Sequence, residues 1–441
     1  MRCFEPKGFQ VAGALEKKSE GGGTTAFQPV SLETLIDSPL YAGRYFKTFD
    51  ISPDGKIPVR LNVMADRPEL LEPKPDYIEA HKNLVRQAYS LFGGHHYDHY
   101  DFLFALSDKM GGIGLEHHRS SENGTLPTFF TEWDKNGDTR TLLTHEFSHS
   151  WNGKFRRPFD LWTANFNEPM RDSLLWVYEG QTQFWGYVLG ARSGLNTKQQ
   201  ALDSLEITAA TYDNRRGREW RPLQDTTNDP IIDGRRPIPW RSWQRNEDYY
   251  AEGQLVWLDA DTAIREMSKG AKPLDDFAKL FFGIDNGSYV PATYTFDDIV
   301  KTLNAVQPND WAAFLRTRLD GLSTGAPLDG IARGGYRLVY NDTPSDYFRA
   351  AETRRRTTDL TFSLGLSVGR DEKLADVMWE GPAFKVGLTL GTQLVAVNGA
   401  AYSSERLKDA VKAAKNTTDP IELIVKNGDR FRTVKLDYHG G

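Results

Sequence analysis

The stretch TLLTHEFSHSWNGKFRRP, residues 141–158, carries His145, Glu146 and His149 in the spacing H-E-x-x-H. On an α-helix, residues i and i+4 share one face, about a turn apart. The two imidazoles therefore project side by side and can share one divalent cation, while Glu146 reaches a water beside that cation. Leu143, Phe147 and Trp151 recur at i, i+4 and i+8, an apolar stripe that anchors the same helix. The upstream DKNGD, residues 134–138, starts like a calcium loop. Thr139 stands where that loop needs glycine, and His145 where it needs a bidentate glutamate. It reads as a polar turn before the helix.

A catalytic zinc site takes three protein ligands and keeps a fourth position open. Asp160, Glu168, Asp172 and Glu179 are the downstream candidates for the third. The first two flank loop signals near prolines, and Asp172 reads as a helix start. Glu179 interrupts LLWVYEGQTQFWGYV, among Trp176, Val177, Phe184 and Val188. A carboxylate there is costly to bury unless paired or metal-bound, so Glu179 is the expected ligand. His145, His149 and Glu179 together predict one Zn²⁺ per chain. Glu146 is the expected general base, taking a proton from water and passing it to a departing amine. Asn152, or another polar side chain after the helix, is placed to orient a ligand.

A chain of 441 residues has room for two or three domains. A net charge of −6 argues against a nucleic-acid partner, which needs a basic surface. The single cysteine, Cys3, excludes an intrachain disulfide and a cysteine-based zinc site. No apolar run approaches the roughly 18 residues of a membrane span. The opening MRCFEPKGFQVAG lacks the apolar core of a signal peptide.

Residues 1–72 read as β-rich: GRYFKTFDIS and IPVRLNVMA alternate apolar and polar residues, and EKKSEGGGTTAF is a glycine-marked turn. So few strands predict a partial β-domain with its front missing. From about residue 76, YIEAHKNLVRQAYSLFGG is a helix stopped by Gly-Gly, and YDFLFALSD a strand. DSLLWVYEGQTQFWGYVLGARSG, EGQLVWLDADTAIREMSKG and TFDDIVKTLNAV read as further helices. In the tail, LGLSVG, ADVMWEG, QLVAVNG and IELIVKNGDRFRTVKLD are short strands, with one helix near 404–415. The expected fold class is multidomain α+β. A partial β-domain spans 1–72, a mixed catalytic domain with a mostly helical second lobe spans 73–340, and a β-rich module spans 341–441.

GGIGLEHHRSS, HEFSHSWNGKFRRP, LWVYEGQTQFWGY and YYAEGQLVWLDADTAIREMSKG together resemble the glycyl aminopeptidase family of zinc peptidases. These are gluzincins whose thermolysin-like catalytic domain follows a β-domain and precedes a PDZ domain. TLIDSPLYAGRYFKTFDI matches the end of that β-domain, and the tail matches the PDZ module. The resemblance implies a zinc aminopeptidase that hydrolyses the first bond of peptides with a free N-terminus, preferring glycine and alanine. GGIGLEHH would be the edge strand along the substrate, with Gly111 and Gly112 allowing close backbone approach and Glu116 pairing with the α-amino group. His117 matches the family pattern, but neither it nor His118 is given a metal role. Tyr250 matches the tyrosine aimed at the oxyanion, and Glu252 stands where the family often has lysine. Ser363, Leu364, Gly365 and Leu366 match a PDZ carboxylate loop, with SSERLKDAVKAAK lining the groove, which implies a peptide C-terminus as a further partner.

Two alternatives share these residues: a zinc endopeptidase with the same core, and a catalytically inactive PDZ peptide-binding protein. Members of the family are commonly bacterial and often exported. With the β-domain front missing, this favours a soluble periplasmic or secreted protein over a cytoplasmic one.

Overall fold

The computed structural model describes residues 1–229, 231 and 238–440. The chain divides into two compact units. One is Met1–Leu202 with Gly253–Leu315, the other Asp203–Glu252 with Arg316–Gly441.

In the first unit, the glycine-marked turn is a hairpin between Lys17–Gly21 and Thr24–Phe27, and Arg2–Phe4 pairs on the far side of the second strand. A five-stranded sheet follows in the order Tyr45–Asp50, Val59–Ala65, Tyr100–Leu106, Ser120–Thr125, Ile113–Glu116. Its three inner strands run parallel and its two outer ones antiparallel. A parallel pair needs a long crossover, and helix Pro75–Phe92 lies in the connection between Val59–Ala65 and Tyr100–Leu106. The sheet therefore runs across residue 72, where composition places a boundary. Tyr100–Leu106 is buried at every position, as its apolar run requires.

The aromatic residues serve to seat the H-E-x-x-H helix, Thr141–Ser148, on this sheet. Phe147 packs edge-on to Tyr100 at 4.8 Å and against Phe102 at 5.1 Å, and Trp151 stacks on Phe92 at 4.6 Å. Each such pair is worth about 0.5–1.5 kcal/mol beyond its buried area. On its other side the helix meets Gly180–Ser193, where Thr144 Oγ1 donates to the Gly186 carbonyl at 2.8 Å.

The second unit holds a buried ionic network. Arg215 and Arg245 both reach Asp248, at 2.6 and 2.8 Å, and the Glu252 carboxylate is gripped by Arg218 and Arg245. Glu252 is 2% exposed. This accounts for a glutamate where lysine is common: a cation at this position would face two buried guanidiniums. Burial, and then the neighbouring Arg245, lower the Arg218 guanidinium to about 10. After helix Asp346–Arg355 the unit is β-rich. Thr358–Leu360, Leu366–Val368 and Leu374–Val377 form one sheet. Ala400–Ala401, Gln393–Val397, Ile421–Asn427 and Arg430–Leu436 form a second. Their inner faces and helix Ser404–Ala414 enclose one core that includes Leu366, Leu394, Leu407 and Leu423.

Removing one partner of a buried ionic group leaves the others uncompensated, at about 3–5 kcal/mol. Glu252→Ala is expected to lower stability by that amount in urea denaturation followed by tryptophan fluorescence. A loss below about 1 kcal/mol would show that the network contributes little.

Candidate active site

His145 and His149 lie one turn apart at the end of helix Thr141–Ser148, with their Nε2 atoms 3.0 Å from each other. The apolar run that contains Glu179 is two helices, Leu175–Tyr178 and Gly180–Ser193. Glu179 sits at the break (φ −96°, ψ −48°) and turns its carboxylate inward. Its Oε2 lies 3.3 Å from His145 Nε2 and 3.2 Å from His149 Nε2. That oxygen is buried and makes no aligned hydrogen bond. Two imidazole nitrogens and an orphaned carboxylate oxygen thus converge on one point, a donor set that fits a divalent cation of the zinc type. Of the other candidate acids, Asp160 accepts from Ser173 within its own loop, and Glu168 and Asp172 are outside this cluster.

The ring of His149 is fixed from behind. Its Nδ1 lies 2.9 Å from the Asn152 carbonyl, so the ring donates there and leaves Nε2 as a lone-pair donor. Asn152 was expected to orient a ligand through its side chain. Its backbone does so, while the side-chain amide donates to the Val177 carbonyl at 2.8 Å and to Thr182 Oγ1 at 3.0 Å. That amide pins the turn leading into Glu179.

Three carboxylates share the site. Burial raises the Glu146 carboxyl well above its usual range, and Glu116 and Glu179 add to the shift. Burial alone would raise Glu179 too. The two imidazoles beside it, His149 first, prevail and lower it to about 2. Glu116 closes the edge strand Ile113–Glu116 and accepts a hydrogen bond from the Tyr178 hydroxyl. Oxygens of Glu116 and Glu146 lie within 4.8 Å of each other and of a His149 nitrogen.

Glycine governs two of these placements. A Cβ on Gly114 would lie 2.2 Å from Glu146 Oε1, so a side chain at this position of the edge strand would displace the Glu146 carboxylate. At Gly153 (φ +118°) a Cβ would meet the Tyr178 ring at 2.4 Å. Gly111 (φ +79°) leads into the edge strand with open space beside it, and a Cβ on Gly112 would make only an ordinary contact with the Gly124 carbonyl at 3.8 Å.

Sequence patterns missed two members of the site. Tyr178 both directs Glu116 and packs on the His149 ring at 4.9 Å; its place next to Glu179 was the available signal. Asp37 accepts from Lys154 Nζ and the His118 N–H, both at 2.8 Å, and lies 3.1 Å from His117 Nδ1. It ties the segment after the helix to the end of the edge strand. Nothing local marks it. His118 bonds the His96 carbonyl through Nε2 and is lowered by burial to about 4. Tyr250 belongs to the second unit, directly before helix Ala251–Met267, with its ring 5.0 Å from that of Tyr249.

Residues 138–256 match the family model described as M61 glycyl aminopeptidase. This segment is an M61 glycyl aminopeptidase domain. The M61 match takes in His145, Glu146, His149, Glu179 and Tyr250, and it marks the chain as a peptidase. No curated protein matches the sequence. An aminopeptidase N family protein from Idiomarina loihiensis, 19% identical, superimposes with a TM-score of 0.75 over 98% of this chain and 73% of its own, which shows a shared fold. An M1 zinc metallopeptidase from Deinococcus radiodurans, 15% identical, covers 73% of this chain and 64% of its own. Its TM-score is 0.44, too low to carry an argument.

Metal uptake tests the M61 centre. His149→Ala and Glu179→Ala are each expected to abolish stoichiometric retention of zinc after dialysis, measured by elemental analysis. Glu146→Gln should retain one ion per chain. Full retention by Glu179→Ala would remove it from the ligand set.

Proposed function

We propose that the protein is a zinc-dependent aminopeptidase that releases small N-terminal residues, glycine and alanine, from peptides. The observation that carries this reading is the convergence of His145, His149 and Glu179, with Glu116 a few ångströms away. Zinc held by these three ligands would supply Lewis acidity to water and to the scissile carbonyl. Glu146, which burial holds high among carboxyls, accepts the proton of the attacking water and returns it to the departing amine. Glu116 pairs with the substrate α-ammonium, its direction set by the Tyr178 hydroxyl. Tyr250 donates to the oxyanion as charge develops there. Gly111 and Gly112 leave the backbone accessible to the substrate strand. The small-residue preference follows from the family likeness.

In this reading the five-stranded sheet and the helices that follow it belong to a thermolysin-like peptidase domain, and residues 341–441 are a PDZ module whose carboxylate loop is residues 363–366. No helix among the described residues is long and apolar enough to cross a membrane. A periplasmic or secreted site of action suits the family.

Two measurements test the proposal. Glu146→Gln should lower kcat for a fluorogenic alanyl amide by about 10²- to 10⁴-fold with its zinc retained; normal turnover would remove the general-base role. Acetylating the substrate amine should reduce kcat/KM by at least about 30-fold, the equivalent of about 2 kcal/mol for a lost buried charge pair. Glu116→Ala should erase most of that discrimination. An enzyme that cleaves acetylated peptides equally well is an endopeptidase.

A further inference from the structure

In the second unit, strand Leu366–Val368 is paired on both edges. Leu374–Val377 lies on one side. On the other lies Thr358–Leu360, antiparallel, with Thr358 opposite Val368 and Leu360 opposite Leu366. A strand edge beside a helix is the surface to which an extended peptide adds as one more strand. Here a piece of the same chain takes that edge.

Its contacts are those of a ligand. Thr358 Oγ1 donates to Ser404 Oγ at 2.7 Å, at the first residue of helix Ser404–Ala414. The Asp359 N–H turns away from the sheet and donates to Glu352 Oε1 at 2.7 Å. Glu352 Oε2 in turn accepts from Lys408 Nζ of that helix, also at 2.7 Å. The Leu360 carbonyl accepts the N–H groups of Ser363 (3.2 Å) and Gly365 (3.0 Å). Gly365 takes φ +70° in that loop. The Leu360 side chain packs against the module's core. A hydroxyl at the helix start, an aliphatic side chain two residues on, and a carbonyl held by loop amides are the features a peptide ending in Thr-x-Leu would present.

We propose that the groove between Leu366–Val368 and Ser404–Ala414 is filled by the chain's own Thr358–Leu360. This strand acts as an internal ligand and excludes carboxyl-terminal peptides of the same chemistry. The inference rests on the PDZ reading of the module and adds to it what occupies the groove. A cavity of ≈ 310 Å³, lined in part by Phe348, Leu360, Phe362 and Val411, borders the strand, so packing does not enclose it on every side. The strand is tethered through the short segment Thr361–Phe362. Such tethering gives an effective concentration on the order of millimolar, and a groove with an intrinsic Kd of about 10 µM would bind a free peptide about 100-fold more weakly.

The test uses the full chain, a fluorescein-labelled peptide ending in Thr-Asp-Leu with a free carboxylate, and the Thr358→Pro variant, which removes a backbone donor from the strand. The variant is expected to bind the peptide about 100-fold more tightly than the wild type. Thr358→Ala, which loses only the Ser404 bond, should fall between. Equal affinity of wild type and Thr358→Pro overturns the proposal. Hydrogen exchange on the wild type gives a reading that does not depend on the variants folding. The Leu366 and Val368 amides should be as protected as those of Gln393–Val397, and fast exchange overturns the internal strand while leaving the PDZ reading intact. Protected amides with no peptide bound by a folded variant overturn the PDZ reading.

Discussion

The candidate site depends on a carboxylate turned into an apolar wall. In sequence Glu179 lies between Trp176 and Val177 on one side and Phe184 on the other, and all four are buried. A lone charge there would cost several kcal/mol. What makes it tolerable is the pair of imidazoles 3.2 and 3.3 Å away. Those rings are in turn fixed by the aromatic contacts that hold helix Thr141–Ser148 on the sheet, and by the Asn152 carbonyl behind His149. The break between two helices at residue 179 is what allows its side chain to reach them. Straightening that break would strand a buried acid and empty the ligand set together.

Around this point one residue type is used in three ways. Glu179, beside two imidazoles, is held ionised. Glu146, one residue along from His145, has burial and two neighbouring carboxylates raising its affinity for a proton. Their surroundings thus push two acids of one site in opposite directions. Glu116 is reached from a different element, the edge strand, and the Tyr178 hydroxyl directs it. Glu116 and Glu146 therefore come together where strand and helix approach at Gly114, whose Cβ would lie 2.2 Å from Glu146 Oε1.

Much of this was legible in the sequence because it rests on short-range rules. The i, i+4 spacing placed both histidines, and the apolar surroundings singled out Glu179 among four acids. The run YDFLFAL read as a strand, and strand Tyr100–Leu106 forms there. What the sequence concealed is long-range. Asp37 meets His117 and Lys154 from a distant loop, and nothing around Asp37 marks it. The pairing of Val59–Ala65 with Tyr100–Leu106 spans a whole helix, so composition alone placed a boundary inside one sheet. The Asn152 backbone, rather than its side chain, holds His149, a distinction that spacing cannot make.

The central claim is that three donor atoms from two segments meet on one cation. Crystals grown with zinc and measured across its absorption edge test this directly. The account predicts a single anomalous peak about 2.0–2.2 Å from His145 Nε2, His149 Nε2 and a Glu179 oxygen. A peak elsewhere, or one at the histidines with Glu179 turned away, would contradict it.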